Sequence, residues 1–233
     1  MKFKFFIILN LYFLFIQNTF AQSEIVTSLN FIPKFGNAAL ILSDSTYSKN
    51  NGDSIKIESL KFYISNIEFL NNDKIIWKEK NSFHLVDASS ATSMKIKLVI
   101  PPNITCNKIR FNLGIDSLVN VSGVLGGDLD PTKGMYWTWQ SGYINFKLEG
   151  KSNKCKTRNN EFHFHLGGYQ TPYSALQSIT LNINNPEKIS VVIDLQKLMN
   201  EIDLSKQNKI MSPSSEAVFL SKKISQLFSI KQP

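Results

Sequence analysis

The sequence has few of the residues and motifs from which catalytic centres are usually built. It contains two cysteines and three histidines among 233 residues. It has no C-x-x-C pair, heme-attachment C-x-x-C-H, H-E-x-x-H helix, G-x-S-x-G elbow, P-loop or G-x-G-x-x-G turn. The common hydrolase, metalloprotease, thiol-redox and nucleotide-dependent classes therefore have no support, and we expect a binding protein rather than an enzyme.

Long apolar runs are scarce, and the chain begins with the only one. Two lysines precede the run 5–16, and small residues stand three positions and one position before the bond between Ala21 and Gln22. This pattern predicts a signal peptide over residues 1–21, with an uncleaved anchor as the alternative, which a run this short disfavours. We expect the remaining residues, 22–233, to form a single periplasmic or secreted domain without a stable membrane span.

The charge is basic but not concentrated. Lysine and arginine number 26 against 18 acidic residues, which gives a formal net charge of +8. The basic residues are scattered among acidic ones, and no nucleic-acid-binding motif is present. We therefore expect no nucleic-acid partner, and we interpret the charge as a source of solubility and of some attraction to anionic surfaces.

Apolar and polar residues alternate in many short segments, most cleanly in residues 108–115. The parity of the alternation shifts within residues 55–70, which predicts a bulge or a bend. Helical signals come late, with Asp194 as one candidate N-cap and Ser214 or Ser215 as another. Because strands and helices do not alternate, we predict a mainly β fold: an antiparallel β-sandwich of about eight to ten strands with one or two C-terminal helices.

The stretch 126–150 combines turn residues with large aromatic ones. Trp137 and Trp139 lie near its centre, and one interpretation is that they close the open end of a β core. Asp128 and Asp130 resemble part of a calcium loop, but no acidic residue stands at the expected far end. Calcium is therefore the weaker hypothesis, and Asx turns that stiffen the loop are the preferred explanation.

Two of the three histidines, His163 and His165, are spaced i, i+2 in a predicted strand. This spacing places both imidazoles on the face opposite to Phe162 and Phe164. Two neighbouring imidazoles form half of a copper or zinc site, to which a loop could add further ligands. The alternative is an ordinary surface strand with its polar residues outward.

The two cysteines, Cys106 and Cys155, bear on the redox state of the chain. Export would permit a disulfide between them, which would close a loop containing the whole stretch 126–150. The alternative is two free thiols, one of which could serve as a soft metal ligand.

Several motifs, taken together and in their order, resemble the MbnP-like copper-binding protein family, which is related to the MopE and CorA copper proteins. Together they span nearly all of the chain after the predicted signal peptide. They are F-x-I-S-N-I-E (62–68), L-V-D-A-S (85–89), F-N-L-G-I-D-S (111–117), the stretch 126–150, F-H-F-H-L-G-G (162–168) and the late M-S-P (211–213).

The resemblance implies a secreted, mainly β protein that binds copper, most simply Cu(I), in copper acquisition or handling. Related proteins use histidines together with a tryptophan oxidised to kynurenine, and a diheme peroxidase-like partner is associated with that oxidation. His163, His165, Trp137 and Trp139 stand in the matching motifs, and His84, beside L-V-D, is a further candidate metal ligand. The alternative function is a non-catalytic interaction module that binds a protein partner or a glycan through the aromatic loop.

Overall fold

Strands dominate the structure, a computed structural model that describes residues 25–49, 51–139 and 142–231. The predicted signal peptide, residues 1–21, lies outside this part of the chain and stays a prediction. Ten of the strands have five or more residues, in agreement with the predicted eight to ten, and five more have two or three. The strands are β1 (Ile25–Phe35), β2 (Ala38–Ala39), β3 (Tyr47–Ser48), β4 (Ser54–Asn71), β5 (Lys74–Lys78), β6 (Phe83–Asp87), β7 (Lys95–Ile100), β8 (Lys108–Leu113), β9 (Tyr136–Trp137), β10 (Gly142–Ser152), β11 (Glu161–Gly167), β12 (Gln177–Asn182), β13 (Lys188–Asp194), β14 (Lys209–Ile210) and β15 (Phe228–Ile230). The helices are α1 (Ser117–Ser122), α2 (Leu195–Glu201) and α3 (Ser215–Ser225), with short 3₁₀ turns at Gly127–Leu129 and Pro131–Lys133.

The strands form two sheets, as the predicted sandwich requires. The first sheet has the order β15-β13-β1-β2, and β7 also pairs with β1. The second has the order β12-β8-β4-β10-β11-β14, with β3, β5 and β6 paired to β4 and β9 paired to β10. Two pairings, β1 with β13 and β11 with β14, are parallel rather than antiparallel. Long connections separate the members of each parallel pair, so no tight turn forces them to run in opposite directions.

The inner faces of the two sheets share one core that is rich in aromatic residues. Phe31 of the first sheet meets Phe62 of the second with ring centroids 5.5 Å apart, and it meets Phe111 at 6.2 Å. Phe228 closes the group with its ring 5.7 Å from that of Phe62. Each fully buried phenylalanine contributes about 1.5–3 kcal/mol, so these contacts hold the two sheets face to face.

The longest strand, β4, organises the second sheet by pairing with five other strands. Its eighteen residues include the predicted bulge, because the register with β8 shifts between Ser65 and Glu68. Asn66 within this shift has a left-handed φ of 51°. The shift lets Phe62 and Phe69 both reach the core although their positions differ in parity.

The C-terminal helices begin at their predicted caps. The side chain of Asp194 accepts a hydrogen bond from Gln196 N at the start of α2, and that of Ser214 accepts one from Ala217 N at the start of α3. The six-residue α1 was not predicted, because it is too short to show an apolar stripe. None of the helices in the described ranges is long and apolar enough to cross a membrane.

The predicted disulfide between Cys106 and Cys155 is not formed, since both cysteines are free. Cys155 follows β10, which pairs with the beginning of β4 at Ile55, whereas Cys106 precedes β8, which pairs with the end of β4 at Leu70. The intervening strand spans roughly 40–50 Å at about 3.3 Å per residue. A disulfide requires Cα atoms within about 7 Å, so the two thiols lie too far apart.

We therefore expect both cysteines to titrate as thiols when the protein is unfolded without reductant. Burial raises the pKa of both thiols, so in the folded protein their reaction with a thiol reagent should be slow. A thiol-specific chromophore measures both states. Protein that has no free thiol after unfolding would contradict the strand arrangement.

Candidate metal site

The candidate site lies on the outer face of the second sheet, where β10 and β11 pair. Phe162 and Phe164 of β11 project into the core. His163 and His165 alternate with them and therefore project from the opposite face, as predicted. On β10, Lys147 is the register partner of His165 and projects from the same outer face.

Glu149 of β10 brings a third ligand to the two histidines. It is the register partner of His163, whose Nδ1 lies 3.6 Å from Glu149 Oε1. The same carboxylate oxygen lies 2.7 Å from Nε2 of His165. One ligand atom from each of the three residues lies within 4.8 Å of the others, and within residues 25–49, 51–139 and 142–231 this is the single such cluster.

Sequence reasoning missed Glu149 as a ligand. The available signal was that Glu149 is one of the polar residues in the alternating apolar and polar pattern of β10. That signal shows which face Glu149 occupies but not which strand lies beside it. The pairing of β10 with β11 is a long-range choice, and it alone brings Glu149 to His163 and His165.

The electrostatics of the site keep Glu149 ionised. The hydrogen bond with His165 is the largest effect and lowers the pKa of Glu149, and the charges of Lys147 and His165 act in the same direction. Together they outweigh burial, which raises it, and bring the pKa to about 2. Lys147 Nζ lies 3.5 Å from Glu149 Oε1. The site therefore offers a permanent carboxylate, but a lysine ammonium competes for it.

Two imidazole nitrogens and one carboxylate oxygen form a donor set that fits a borderline divalent metal. Imidazole suits copper and zinc, and a carboxylate oxygen favours a divalent ion over Cu(I). The short contact between His165 Nε2 and Glu149 Oε1 holds one proton between the two groups. A metal that bound both atoms would take the place of that proton, which would move to Nδ1 of a neutral His165 or leave a charged one.

Trp137 is buried beside the histidine strand. Gly167, two residues after His165 on the same face, leaves room for it: a Cβ there would lie 2.7 Å from Trp137 Cζ3 and 2.5 Å from the Tyr143 carbonyl oxygen. The indole Nε1 is buried without a hydrogen-bond partner among the described residues. An unsatisfied buried donor costs about 1–3 kcal/mol, which offsets part of what burial of the indole contributes.

The glycine-rich loop that carries Trp137 is the first part of the stretch 126–150. It covers the outer face of the second sheet rather than closing the core. Leu129, Met135 and Trp137 form a second apolar cluster with Tyr63 and other buried residues. Tyr63 follows Phe62, whose side chain faces the main core, so the loop packs on the other side of the same sheet. The expectation that the tryptophans close the open end of the core is therefore wrong, since the loop covers the face on which the histidines lie.

The other tryptophan of the loop, Trp139, is exposed. It keeps 65% of its surface accessible, and its ring centroid lies 6.1 Å from that of Trp137. Of the two, Trp137 is therefore the one packed against the histidine strand.

Asp128 and Asp130 serve the loop itself. Asp128 Oδ2 accepts a hydrogen bond from Leu85 N, and its Oδ1 lies 2.6 Å from Lys133 Nζ. Asp130 Oδ1 accepts hydrogen bonds from the hydroxyl and the backbone N–H of Thr132, which lower the pKa of Asp130. These contacts account for both carboxylates as turn and anchor residues, in line with the preferred explanation from the sequence.

His84 lies apart from the cluster. It is on β6, which pairs with β4 on the edge opposite to β10. Its Nε2 lies 2.8 Å from Oε2 of Glu79. The third histidine, predicted as a further metal ligand, thus has a carboxylate partner elsewhere on the sheet.

A cavity of about 380 Å³ adjoins Trp137 at the end of the sheet. Among the described residues its wall carries no charged side chain and consists of aromatic, proline, glycine and neutral polar residues: Trp137, Gly142, Gly168, Tyr169, Gln170, Thr171, Pro172, Tyr173 and Pro213.

Comparisons with known proteins agree with this architecture. The MbnP family model matches residues 24–212, which is most of the chain. The solved structure of MbnP from Methylosinus trichosporium superposes with a TM-score of 0.64 at 15% identity, over 84% of this chain and 88% of that one. At this identity the likeness shows the fold alone. Among curated proteins, none matches the sequence.

The depressed pKa of Glu149 makes its contribution to folding depend on pH. A carboxyl with a folded pKa of about 2 stabilises the protein above its unfolded pKa near 4.5, and that contribution is lost as the pH falls towards 2. In metal-free protein, Glu149→Gln should lower the free energy of unfolding by about 1–3 kcal/mol at pH 7, and the difference should vanish near pH 2.

Urea unfolding at a series of pH values measures this difference. Glu58→Gln is the control, since it removes the partner of Lys151 in a surface ion pair and should cost less than about 1 kcal/mol at any pH. A Glu149→Gln difference that does not change with pH would show that the hydrogen bond with His165 contributes no pH-dependent stability.

Proposed function

The chain belongs to the MbnP family, and on that basis we propose that it is an exported copper-binding protein, periplasmic or secreted, with a binding rather than a catalytic role. The observation that carries the proposal is the cluster of Glu149, His163 and His165 on one sheet face. Copper forms the most stable complexes of the divalent first-row metals with such nitrogen and oxygen donors. When bound, copper would be a redox-active ion that the protein holds for acquisition or handling.

The donor set supports Cu(II) as the bound state. Two imidazoles alone suit low-coordinate Cu(I), which is the state that the resemblance implies. The Glu149 carboxylate is a harder ligand and is already ionised, so it stabilises the divalent ion more strongly. We therefore assign Cu(II) to this site, in contrast to the expectation from the sequence.

Trp137 is proposed as the aromatic wall of the site. Its packing against Gly167 places it next to His165 along the strand face, and its N–H, which has no partner among the described residues, supports a role beyond packing. The tryptophan oxidation and the diheme peroxidase-like partner that the resemblance implies would on this basis concern Trp137, whereas Trp139 remains exposed.

The alternative of an interaction module draws support from the uncharged aromatic cavity beside Trp137. This alternative would gain support if both tryptophans lay on an open surface far from the histidines. The burial of Trp137 against the histidine strand favours copper binding, and the cavity is compatible with either function.

Removing both histidines should abolish copper binding. The protein isolated from copper-supplemented cells should carry about one copper per chain, and His163→Ala/His165→Ala should carry almost none, because a lone carboxylate holds copper weakly. Elemental analysis gives the copper content, and the electron paramagnetic resonance spectrum of the isolated protein should show Cu(II).

His84→Ala is the matched control for this experiment, since His84 contacts Glu79 away from the cluster. It should retain the wild-type copper content, and circular dichroism should show the same fold in all variants. Equal copper in the double variant and the wild type would reject the site, and loss of copper in His84→Ala would place the ion elsewhere.

Replacing Lys147 should strengthen copper binding. Its ammonium group lies 3.5 Å from the Glu149 carboxylate and repels a cation bound there. Lys147→Gln should raise the affinity for Cu(II) about tenfold at low salt, and less at high salt because the repulsion is screened. Competition with a chelator of known affinity measures the change.

Lys78→Gln is the control, because Lys78 pairs with Glu68 on the hairpin side of β4. Its affinity should equal that of the wild type. An unchanged or weaker affinity in Lys147→Gln would mean that Glu149 is not a ligand.

A further inference from the structure

An exposed aliphatic loop follows β8, and we refer to residues 117–127 as the aliphatic tip. Leu118 and Val121 are 82% and 73% exposed, and Val124 and Leu125 are also exposed. These eleven residues include no charged side chain, although 19% of the whole chain is charged. Single exposed aliphatic residues are ordinary, but a continuous uncharged segment with four of them marks an interaction surface.

The fold holds this tip in place instead of leaving it free. Asp116 caps α1 through Val119 N, and Asn120 donates to the Ile115 and Asp116 carbonyls. The hydroxyl of Tyr143 accepts a hydrogen bond from Leu125 N. The buried side of α1 is therefore Val119 and Asn120, so Leu118 and Val121 remain directed to solvent. A preorganised apolar surface loses little entropy when it binds.

We propose that the aliphatic tip inserts into the surface of an anionic lipid bilayer. Its composition distinguishes lipid from protein as the occupant. Binding energy at protein interfaces comes mainly from Trp, Tyr and Arg, whereas Leu, Val and Ser are under-represented among hot spots. The tip has the reverse composition, with valine, leucine, serine and glycine and no arginine. Aliphatic side chains gain free energy in the acyl region in proportion to the number of buried methylene groups.

The charge of the chain complements the same surface. The formal net charge of +8 becomes +6 when Lys2 and Lys4 leave with the predicted signal peptide, and cations near a bilayer are attracted to anionic headgroups. Of the two acidic residues that flank the tip most closely, Asp128 is compensated by its ion pair with Lys133, and Asp116 caps α1. Apolar insertion and electrostatic attraction together provide the two contributions that stable peripheral binding requires.

Co-sedimentation of the exported protein with vesicles of phosphatidylcholine and phosphatidylglycerol tests the proposal. Wild-type protein should sediment with the vesicles and should remain partly bound in about 0.5 M salt, where surface attraction is screened. Leu118→Ser/Val121→Ser should reduce the partition coefficient at least about tenfold, because it removes the most exposed aliphatic groups.

The matched control is Ile75→Ser/Ile76→Ser, which removes two exposed aliphatic residues of β5, 45% and 37% accessible. This variant should bind vesicles like the wild type. Intact-mass spectrometry should show that the wild type and both variants begin at the same residue. Wild-type protein that does not sediment would overturn the proposal in favour of a protein contact at the tip. Equal binding by the tip variant would also overturn it and would assign binding to charge alone.

Copper content measured on the same samples separates this proposal from the proposed function. The tip variant should keep its copper, because its two substitutions lie outside the cluster of Glu149, His163 and His165. Vesicle binding that depends on the tip in a protein without copper would leave the lipid proposal standing and reject the copper site.

Discussion

The register between β10 and β11 is the constraint on which both the core and the candidate site depend. It places Leu148 opposite Phe164 on the core face and Glu149 opposite His163 on the outer face. Because side chains alternate along a strand, a slip of one residue would exchange these two sets. Phenylalanines would then face water and imidazoles would enter the core, so the same hydrophobic burial that fixes the sheet also assembles the ligands. The metal site is in this sense a consequence of core packing.

The second sheet carries an apolar cluster on each face. The inner face packs on the first sheet, and one end of the outer face is covered by the glycine-rich loop with Leu129, Met135 and Trp137. Lys61 joins this cover to the sheet through Asp87 and the Lys133 carbonyl oxygen. The cover ends beside His165, so the candidate site lies at a boundary between apolar and solvated surface. Such a boundary restricts water on one side of the ligands while leaving an entry path on the other.

Stability and binding oppose each other within the site. In the metal-free state Glu149 is held by His165 and Lys147, and these contacts lower its pKa and stabilise the fold. A metal must displace both contacts, so the free energy that they contribute is subtracted from its affinity. The indole N–H of Trp137, which is unpaired within the described part of the chain, is a second local cost. Destabilising features of this kind concentrate at functional positions, because at other positions a residue that destabilises the fold less serves equally well.

The sequence alone determined those features that depend on neighbours along the chain. Alternation predicted the strands and the shared face of His163 and His165, the parity shift predicted the bulge in β4, and Asp194 and Ser214 marked the starts of helices. These signals are local, because side-chain direction and capping depend on residues a few positions apart.

Only the tertiary structure decided which distant segments meet. It brought Glu149 to the histidines, separated His84 from them, and placed Cys106 and Cys155 at opposite ends of β4. It also put Trp137 beside Gly167 and left the aliphatic tip exposed. Strand pairing is set by burial summed over the whole sheet, so no short window of sequence contains the information that selects these neighbours.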